Sequence, residues 1–534
     1  MPALSGDSRI TRLFTLIPGS EFGADTSAAI ESVGGRTVPW SEARQGVYDL
    51  VVTASPKGDP GRLRGPHLLL PHGAGFNKSL PREGRADSAS GLDPAYLSRS
   101  RDDAPITLYA LAHPDQLARL AATVPHAADG AKVVGDPTLD RILASRGRRD
   151  RYRDALGTGA RTLIVLTSTW GPHSLLRQRP ELPARLAGHL PHDEYQVALI
   201  VHPNEWSELG SYDLAQRLEP ALSAGLLLPR PRDEWASVLV AADAVVTDHG
   251  STALYFTAAS DGPVVSACRG GGELITGSPM DVLLRSVPEL GDHERIEDAL
   301  DACRPGPGRT AARAAFAHQG ETLRRLRAEL YALLDLDPPP LSPSVPLLPS
   351  PAPAARVPTG FDVTADVLDD TTVRIARHPV GLGAPGHHLA VEYGAASEQL
   401  MRSAGLLYWY AGAATALAPR ARLSWTFEGW ADHVLTEYPA CRTTAALLPA
   451  GRCLVRVRGH DRSYVARVGP SRAGGRVARV DPAAAVSALH AWLGATGGRP
   501  PADARLTCVT GERSHPVSLR VATAEEVREE ILGA

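Results

Sequence analysis

The sequence predicts an α/β protein with two Rossmann-like halves flanking a cleft, followed by a C-terminal α+β unit. Three observations lead there. Apolar runs of strand length alternate with helical segments up to residue 334, and that alternation restarts once near residue 160. A proline-rich stretch over 337–358 then separates a segment of different composition. The implied divisions are residues 1–150, 151–336, the linker 337–358 and the accessory unit 359–534.

In the first half, strands are expected at Leu13–Pro18, Tyr48–Thr53, His67–Leu70, Ile106–Ala110 and Lys132–Gly135, with helices at Ala24–Val33 and Pro114–Ala122. Continuous apolar runs of this kind suit parallel strands covered on both faces. The second half offers Thr162–Thr167, Gln196–Val201, Leu226–Leu228, Ala244–Thr247 and Pro263–Ser266 as strands. Phe316, Leu323, Leu326, Leu330 and Leu333 recur near helical period, so one long amphipathic helix over Thr310–Leu334 should close that half. Polyproline-II stiffness in the linker should hold the last unit away from the rest. Beyond it, strands are expected at Thr372–Ala376, His388–Glu392, Leu423–Phe427, Cys453–Val457 and Leu506–Val509. Helices are expected at Ser397–Ala418, Pro482–Leu493 and Ala524–Leu532.

The chain has 534 residues, a net charge of −3 and 22% charged residues, a balance that argues against a nucleic-acid partner. Lys57, Lys78 and Lys132 are its only lysines. The arginine bias, with abundant Ala, Gly and Pro, is the composition of a high-GC, actinobacterial-type genome. Five widely spaced cysteines show neither a disulfide framework nor metal-ligand spacing, which fits a reducing cytoplasm. Residues 1–10 lack the apolar core of a signal peptide, and Ala404–Ala418 is too short to span a membrane. Peripheral membrane contact stays open, and so does the oligomeric state.

Two strand–turn–helix motifs carry the chemistry. In Leu68–Lys78, His72 follows a strand at a turn containing Gly73 and Gly75, with Lys78 shortly after. A neutral imidazole there suits removal of a hydroxyl proton near pH 7. In Ala244–Thr252, Asp248, His249, Gly250, Ser251 and Thr252 open a helix, and amides at such a start cradle a diphosphate. A plain helix cap would read the same way. His202 ends a strand before Pro203, at the same carboxyl edge, where it can contact a donor phosphate or a leaving group. Thr169 and Trp170 open the second half and can hold a base or phosphate. Asp136 and Asp140 serve either an acceptor or a helix start. No Walker loop, GxSxG elbow, HExxH or leading GxGxxG is present. His387–His388 has no partner ligands nearby, and no metal is expected.

The order of these motifs resembles that of the CDP-glycerol glycerophosphotransferase family, which has a GT-B fold and acts in teichoic-acid-type synthesis at the cell envelope. The matching stretches are Pro71–Ala74, Gly135–Asp140, Ser168–Gly171, His202–Pro203 and Asp248–Ser251. The resemblance implies that His72 is the base for an acceptor hydroxyl, and that His202, Ser251 and Thr252 contact the donor diphosphate. The chain departs from the family at Pro71 (usually Trp), Gly171 (usually Arg), His249 (usually Tyr) and Gly250 (usually Ser); Arg177 is a candidate to replace the missing arginine. The architecture is also similar to UDP-N-acetylglucosamine 2-epimerase. The expected activity is therefore transfer of a glycerol-phosphate, polyol-phosphate or glycosyl group from a CDP- or UDP-linked donor to a hydroxyl, with no cofactor required. The alternatives are a nucleotide-sugar epimerase or hydrolase, or a non-catalytic nucleotide-binding protein.

Overall fold

The computed structural model describes residues 2–17, 27, 30–31, 33–56, 60–70, 74, 76–79, 89, 97, 106–232, 234–340, 344–411, 424–473, 475–497 and 501–531. Near the amino terminus a parallel pair joins β1 (Leu13–Phe14) to β2 (Arg36–Thr37). The helix expected at Ala24–Val33 lies mostly outside the described residues; residues 27, 30 and 31 are helical. Next, β3 (Val51–Thr53), β4 (His67–Leu69), β5 (Ile106–Leu111) and β6 (Ala131–Val133) form a four-stranded parallel sheet in chain order. Helix α1 (Pro114–Thr123) follows β5, capped by the His113 ring.

The second sheet contains β7 (Thr162–Ser168), β8 (Tyr195–Val201), β9 (Ala244–Thr247) and β10 (Val264–Ser266). All its pairs are parallel and its order is β10-β9-β7-β8. The chain leaves β7 to one side and returns to the other, so the strand order reverses beside β7. Such a reversal opens a crevice beyond the carboxyl ends of the strands. The strand expected at Leu226–Leu228 reduces to one bridge between Ala198 and Leu227.

Helices α2 (Pro137–Ser145) and α3 (Arg149–Ala155) precede β7 and pack against the second sheet. Leu139, Ile142, Tyr152 and Leu156 share a core with Leu163, Val165 and Val245. Helix α4 (Pro203–Arg217) follows β8, and α5 (Thr252–Ala259) follows β9. The single long helix expected at Thr310–Leu334 is two helices, α6 (Pro307–Ala315) and α7 (Thr322–Leu333). His318 and Gly320 adopt positive φ between them, and the Gly320 amide donates to Asp140. Phe316 packs in the core of the second sheet and Leu323 in that of the first. Nor does α7 close the second half. Its Leu323, Leu326, Leu330 and Tyr331 pack on Leu68, Leu108 and Ala110 of the first sheet, at about 1.5–3 kcal/mol for each buried apolar side chain.

The proline-rich stretch is no spacer. Leu348 is buried in the core of the second sheet, its amide donates to Ser145 Oγ and its carbonyl accepts from Tyr152. Past it, the expected α+β unit is a closed nine-stranded barrel. Its strands are β11 (Gly360–Val367), β12 (Thr372–Pro379), β13 (His388–Glu392), β14 (Leu406–Tyr410), β15 (Thr443–Leu448), β16 (Arg452–Val457), β17 (Ser463–Val468), β18 (Asp503–Thr510) and β19 (Arg513–Val521). They close in the order β11-β12-β18-β19-β17-β16-β15-β14-β13. Helix α8 (Phe427–Glu437) packs outside this wall against Leu407, Trp409 and Leu454. Helix α9 (Pro482–Ala495) lies within it, its Ala485, Leu489 and Leu493 sharing one core with Val363, Leu406, Val455 and Val517 of the wall. Its first turns, Pro-Ala-Ala-Ala-Val-Ser, carry small side chains that fit a barrel lumen, and the helix is apolar around most of its girth.

Three expectations for this unit change. The helix expected at Ser397–Ala418 is a short helix, Glu398–Ser403, followed by β14; residues 412–418 lie outside the described residues. In β14 the alternation sends Leu406 and Tyr408 inward and Leu407 and Trp409 outward, so both faces are apolar and the run imitates a buried helix. The strand expected at Leu423–Phe427 shortens to Trp425–Thr426 before α8 begins, with residue 423 outside the described residues. Trp425–Thr426 pairs with Glu530–Ile531, which ends the helix expected at Ala524–Leu532 after Val527.

Candidate functional site

At the reversal of the second sheet, Asp248 is fully buried beneath the carboxyl ends of β7 and β9. Its carboxylate accepts from the amides of Thr169, Leu175 and Gly250, each at 2.8 Å. Those bonds fix the loop after β7 to the loop after β9. Asp248 therefore positions the site and does not present oxygens to a donor, contrary to the expectation of direct contact. Thr169 is likewise buried. Gly250 is needed for the close approach, since a Cβ there would stand 3.0 Å from both Thr169 Cβ and Asp248 Oδ1.

Ser251 and Thr252 follow at the amino end of α5, both half-buried, and Ser251 makes no side-chain capping bond. His202 ends β8 and starts α4, its Nδ1 accepting from the Asn204 amide at 3.1 Å. An accepting Nδ1 leaves Nε2 as the donor atom of the ring. Trp170 stands beside it, with ring centroids 6.2 Å apart.

The first half reaches this edge through Lys78. The Ser79 amide donates to the Glu273 carbonyl at 2.8 Å, and the Ile275 amide to the Asn77 carbonyl at 2.9 Å. Asn77 Oδ1 also accepts from the Met280 amide. Held by this short antiparallel contact, Lys78 Nζ lies 2.8 Å from the Trp170 carbonyl and 2.9 Å from Glu273 Oε2. It also sits 4.5 Å from the centre of the Trp170 ring, a cation–π distance. The same Glu273 Oε2 is 3.3 Å from His249 Nε2. Burial is the main influence on His249 and pushes its pKa down, keeping the ring neutral. Gly270, at φ +71°, closes over that ring, so a Cβ there would be 2.3 Å from His249 Cγ. His249 is thus a buried partner of Glu273 and does not face a donor.

His72, Gly73 and Gly75 lie outside the described residues, as does Pro71. Asp136 and Asp140 sit where the chain passes between the two sheets. Asp136 caps α2 through the Leu139 amide at 2.8 Å and accepts from the Tyr255 hydroxyl at 2.9 Å. Burial, the largest influence, pushes its pKa up to about 6. Asp140 accepts from Gly320, Thr322 and Leu323. Both side chains tie helices together. Arg177 is engaged by Glu205 and Glu208 at 2.8 and 2.9 Å.

Glu273 was not singled out from sequence. Its signal is the run Gly270-Gly271-Gly272 just before it, a backbone able to pass close over another group. Among the described residues, no group of three or more His, Cys, Asp or Glu side chains is placed to hold a metal ion, and no helix is long and apolar enough to cross a membrane.

No family model and no curated protein matches the chain. Among solved structures, it is similar to a variant of the wall teichoic acid polymerase TagF, at 13% identity and a TM-score of 0.41, over 60% of this chain and 81% of that one. It is also similar to HepE of Anabaena in complex with UDP and glucose, at 15% identity and a TM-score of 0.36, over 60% of this chain and 91% of that one.

Proposed function

We propose that the chain is a GT-B-type transferase, moving a glycerol-phosphate, polyol-phosphate or glycosyl group from a CDP- or UDP-linked donor to a hydroxyl acceptor. One observation carries this reading. Lys78, from the first half, is delivered to the carboxyl edge of the second sheet, where the His202 ring and the amino end of α5 also lie. A cation, an imidazole N–H and a helix start with two hydroxyls form a set suited to a diphosphate.

In this reading the acceptor hydroxyl gives its proton to His72 as its oxygen bonds to the transferred group. The bond to the departing nucleotide breaks, releasing the monophosphate after glycerol-phosphate transfer or the diphosphate after glycosyl transfer. Lys78, His202 and the α5 amides stabilise the negative charge left on that phosphate. Glu273 and Asp248 act one layer behind, holding Lys78 and the two loops.

A thermal-shift panel of CDP-, UDP- and GDP-linked compounds tests donor binding, since a ligand of the folded state raises the midpoint by mass action. One nucleotide class should raise it in the parent chain and less in Lys78→Ala and Ser251→Ala. With that donor, nucleotide release should depend on an added polyol or sugar acceptor and fall in His72→Ala. Release that ignores the acceptor would favour a hydrolase, and no shift with any compound would defeat the reading.

A further inference from the structure

The lysine that joins the two halves already has an anion beside it. Glu273 Oε2 stands 2.9 Å from Lys78 Nζ and 3.3 Å from His249 Nε2, so one carboxylate oxygen is shared between a cation and an imidazole. The main chain of Glu273 is fixed on both sides. Its carbonyl accepts from the Ser79 amide at 2.8 Å, and its amide donates to the Gly270 carbonyl at 3.2 Å. Lys78 is the one lysine or arginine within ion-pair distance of this carboxylate among the described residues.

Other ionisable groups around the pair are few. Asp248 precedes His249 and is held by three amides. The His173 ring packs on Gly271, where a Cβ would lie 2.9 Å from its Cε1. Cys268 contacts the His173 carbonyl, and burial pushes its thiol up to about 12, so it stays neutral. A diphosphate that draws on Lys78 therefore sets its negative charge beside an ionised Glu273 that has no second cation. Like charge disfavours the ionised carboxylate and favours a protonated imidazole, so the pair gains affinity for a proton as one unit. Solvent still reaches the Glu273 side chain, which keeps 10% exposure, so the proton can enter there.

We propose that Glu273 is an internal counter-anion that neutralises Lys78 until a donor arrives, and that donor binding brings one proton from solvent onto the Glu273–His249 pair. No covalent bond between heavy atoms changes. Lys78 turns its charge from the carboxylate to a diphosphate oxygen, and the pair passes from one negative charge to none. This coupling rests on the donor reading above and makes donor affinity fall as pH rises.

Two measurements test it, one of them without a donor. In Lys78→Met the cation is gone before any ligand arrives, so the folded chain should already hold the extra proton. Urea midpoints of Lys78→Met should then fall, relative to the parent, between about pH 6 and 8.5, because the folded state loses a proton that the unfolded state does not hold. Adding Glu273→Gln should remove that fall, and parallel profiles of Lys78→Met and parent would overturn the proposal whether or not a donor binds. In the parent chain, calorimetry with UDP-glucose and CDP-glycerol, in Hepes and in Tris, reads protons taken up, since the two buffers differ in ionisation enthalpy. Uptake should approach about one proton per donor, with affinity falling up to about tenfold per pH unit. Glu273→Gln should bind at least as tightly with no uptake. Binding without uptake, or uptake that persists in Glu273→Gln, would overturn the coupling and leave the donor reading standing. Binding of neither compound would defeat the coupling together with that reading.

Discussion

Lys78 Nζ lies 2.9 Å from Glu273 Oε2, and this ion pair joins the two α/β halves at the edge where the second sheet reverses. Both side chains are largely buried, at 15% and 10% exposure, so neither charge is well solvated if the other is removed. The same carboxylate also faces His249, which ties the lysine to the loop after β9.

The two partners should therefore respond differently to substitution. Lys78→Met leaves Glu273 without its cation and should destabilise the chain by about 2 kcal/mol while weakening nucleotide-diphosphate binding at least tenfold. Glu273→Gln keeps the shape and releases the ammonium, so diphosphate affinity should hold or rise. Urea unfolding and calorimetry with CDP and UDP measure both; equal loss of affinity in the two variants would contradict a phosphate role for Lys78.

Gly270→Ala should be costly and Gly272→Ala nearly silent. The first puts a Cβ into the His249 ring at a φ of +71°, whereas a Cβ on Gly272 meets nothing within 4 Å. A loss of about 2 kcal/mol or more is expected for Gly270→Ala, read as a lower midpoint in thermal unfolding. A matching drop in Gly272→Ala would mean that the loop as a whole, and not the close approach, sets the cost.

Asp136 predicts a pH dependence with a definite sign. Its pKa rises from 3.8 to about 6 on folding, mainly through burial, so the folded chain holds more protons than the unfolded chain across that interval. Stability should fall as pH rises from about 4 to 6 and level off above, by roughly 3 kcal/mol in total. Asp136→Asn retains the cap acceptor and should remove this component. Urea midpoints of both proteins from pH 4 to 7 provide the check, and parallel profiles would refute it.

Arg377 should govern docking of the barrel. It is fully buried in an ion pair with Asp193 of the second half, and Asp481 also accepts from Tyr410. Arg377→Met strands two carboxylates and should cost about 3–5 kcal/mol, with a separate barrel transition in scanning calorimetry. Adding Asp193→Asn should restore part of the loss. A single unshifted transition in Arg377→Met would show that the interface rests on its apolar contacts.

Much of the α/β region was legible in the sequence. Runs such as Thr162–Thr167 and Ala244–Thr247 are apolar on both faces and end in turn residues, so the parallel strands could be placed from local pattern. The barrel was harder. β14 is apolar on both faces, which erases the period that separates strand from helix, and α9, though expected as a helix, carries no polar stripe to tell that a closed sheet surrounds it. The sequence singles out Lys78, His202 and Asp248–Thr252 because a strand there meets small and polar residues, and the fold brings these segments to one edge. Glu273 was hidden because its importance comes from a contact across the halves. The distinction between Asp248 as a ligand and as a brace was also hidden, since it depends on which amides the fold brings to it.

The chain passes between the two sheets twice, and the crossings touch. A Cβ on Gly135 would lie 2.4 Å from Thr322 Oγ1, and the Ala317 amide donates to the Ala112 carbonyl. Two adjoining tethers restrain the halves more than a single strand of chain would, and the lysine–glutamate pair adds a further contact between them. Severing the polypeptide between α3 and β7 would not release two self-sufficient modules, because each fragment would keep helices whose apolar faces belong to the other.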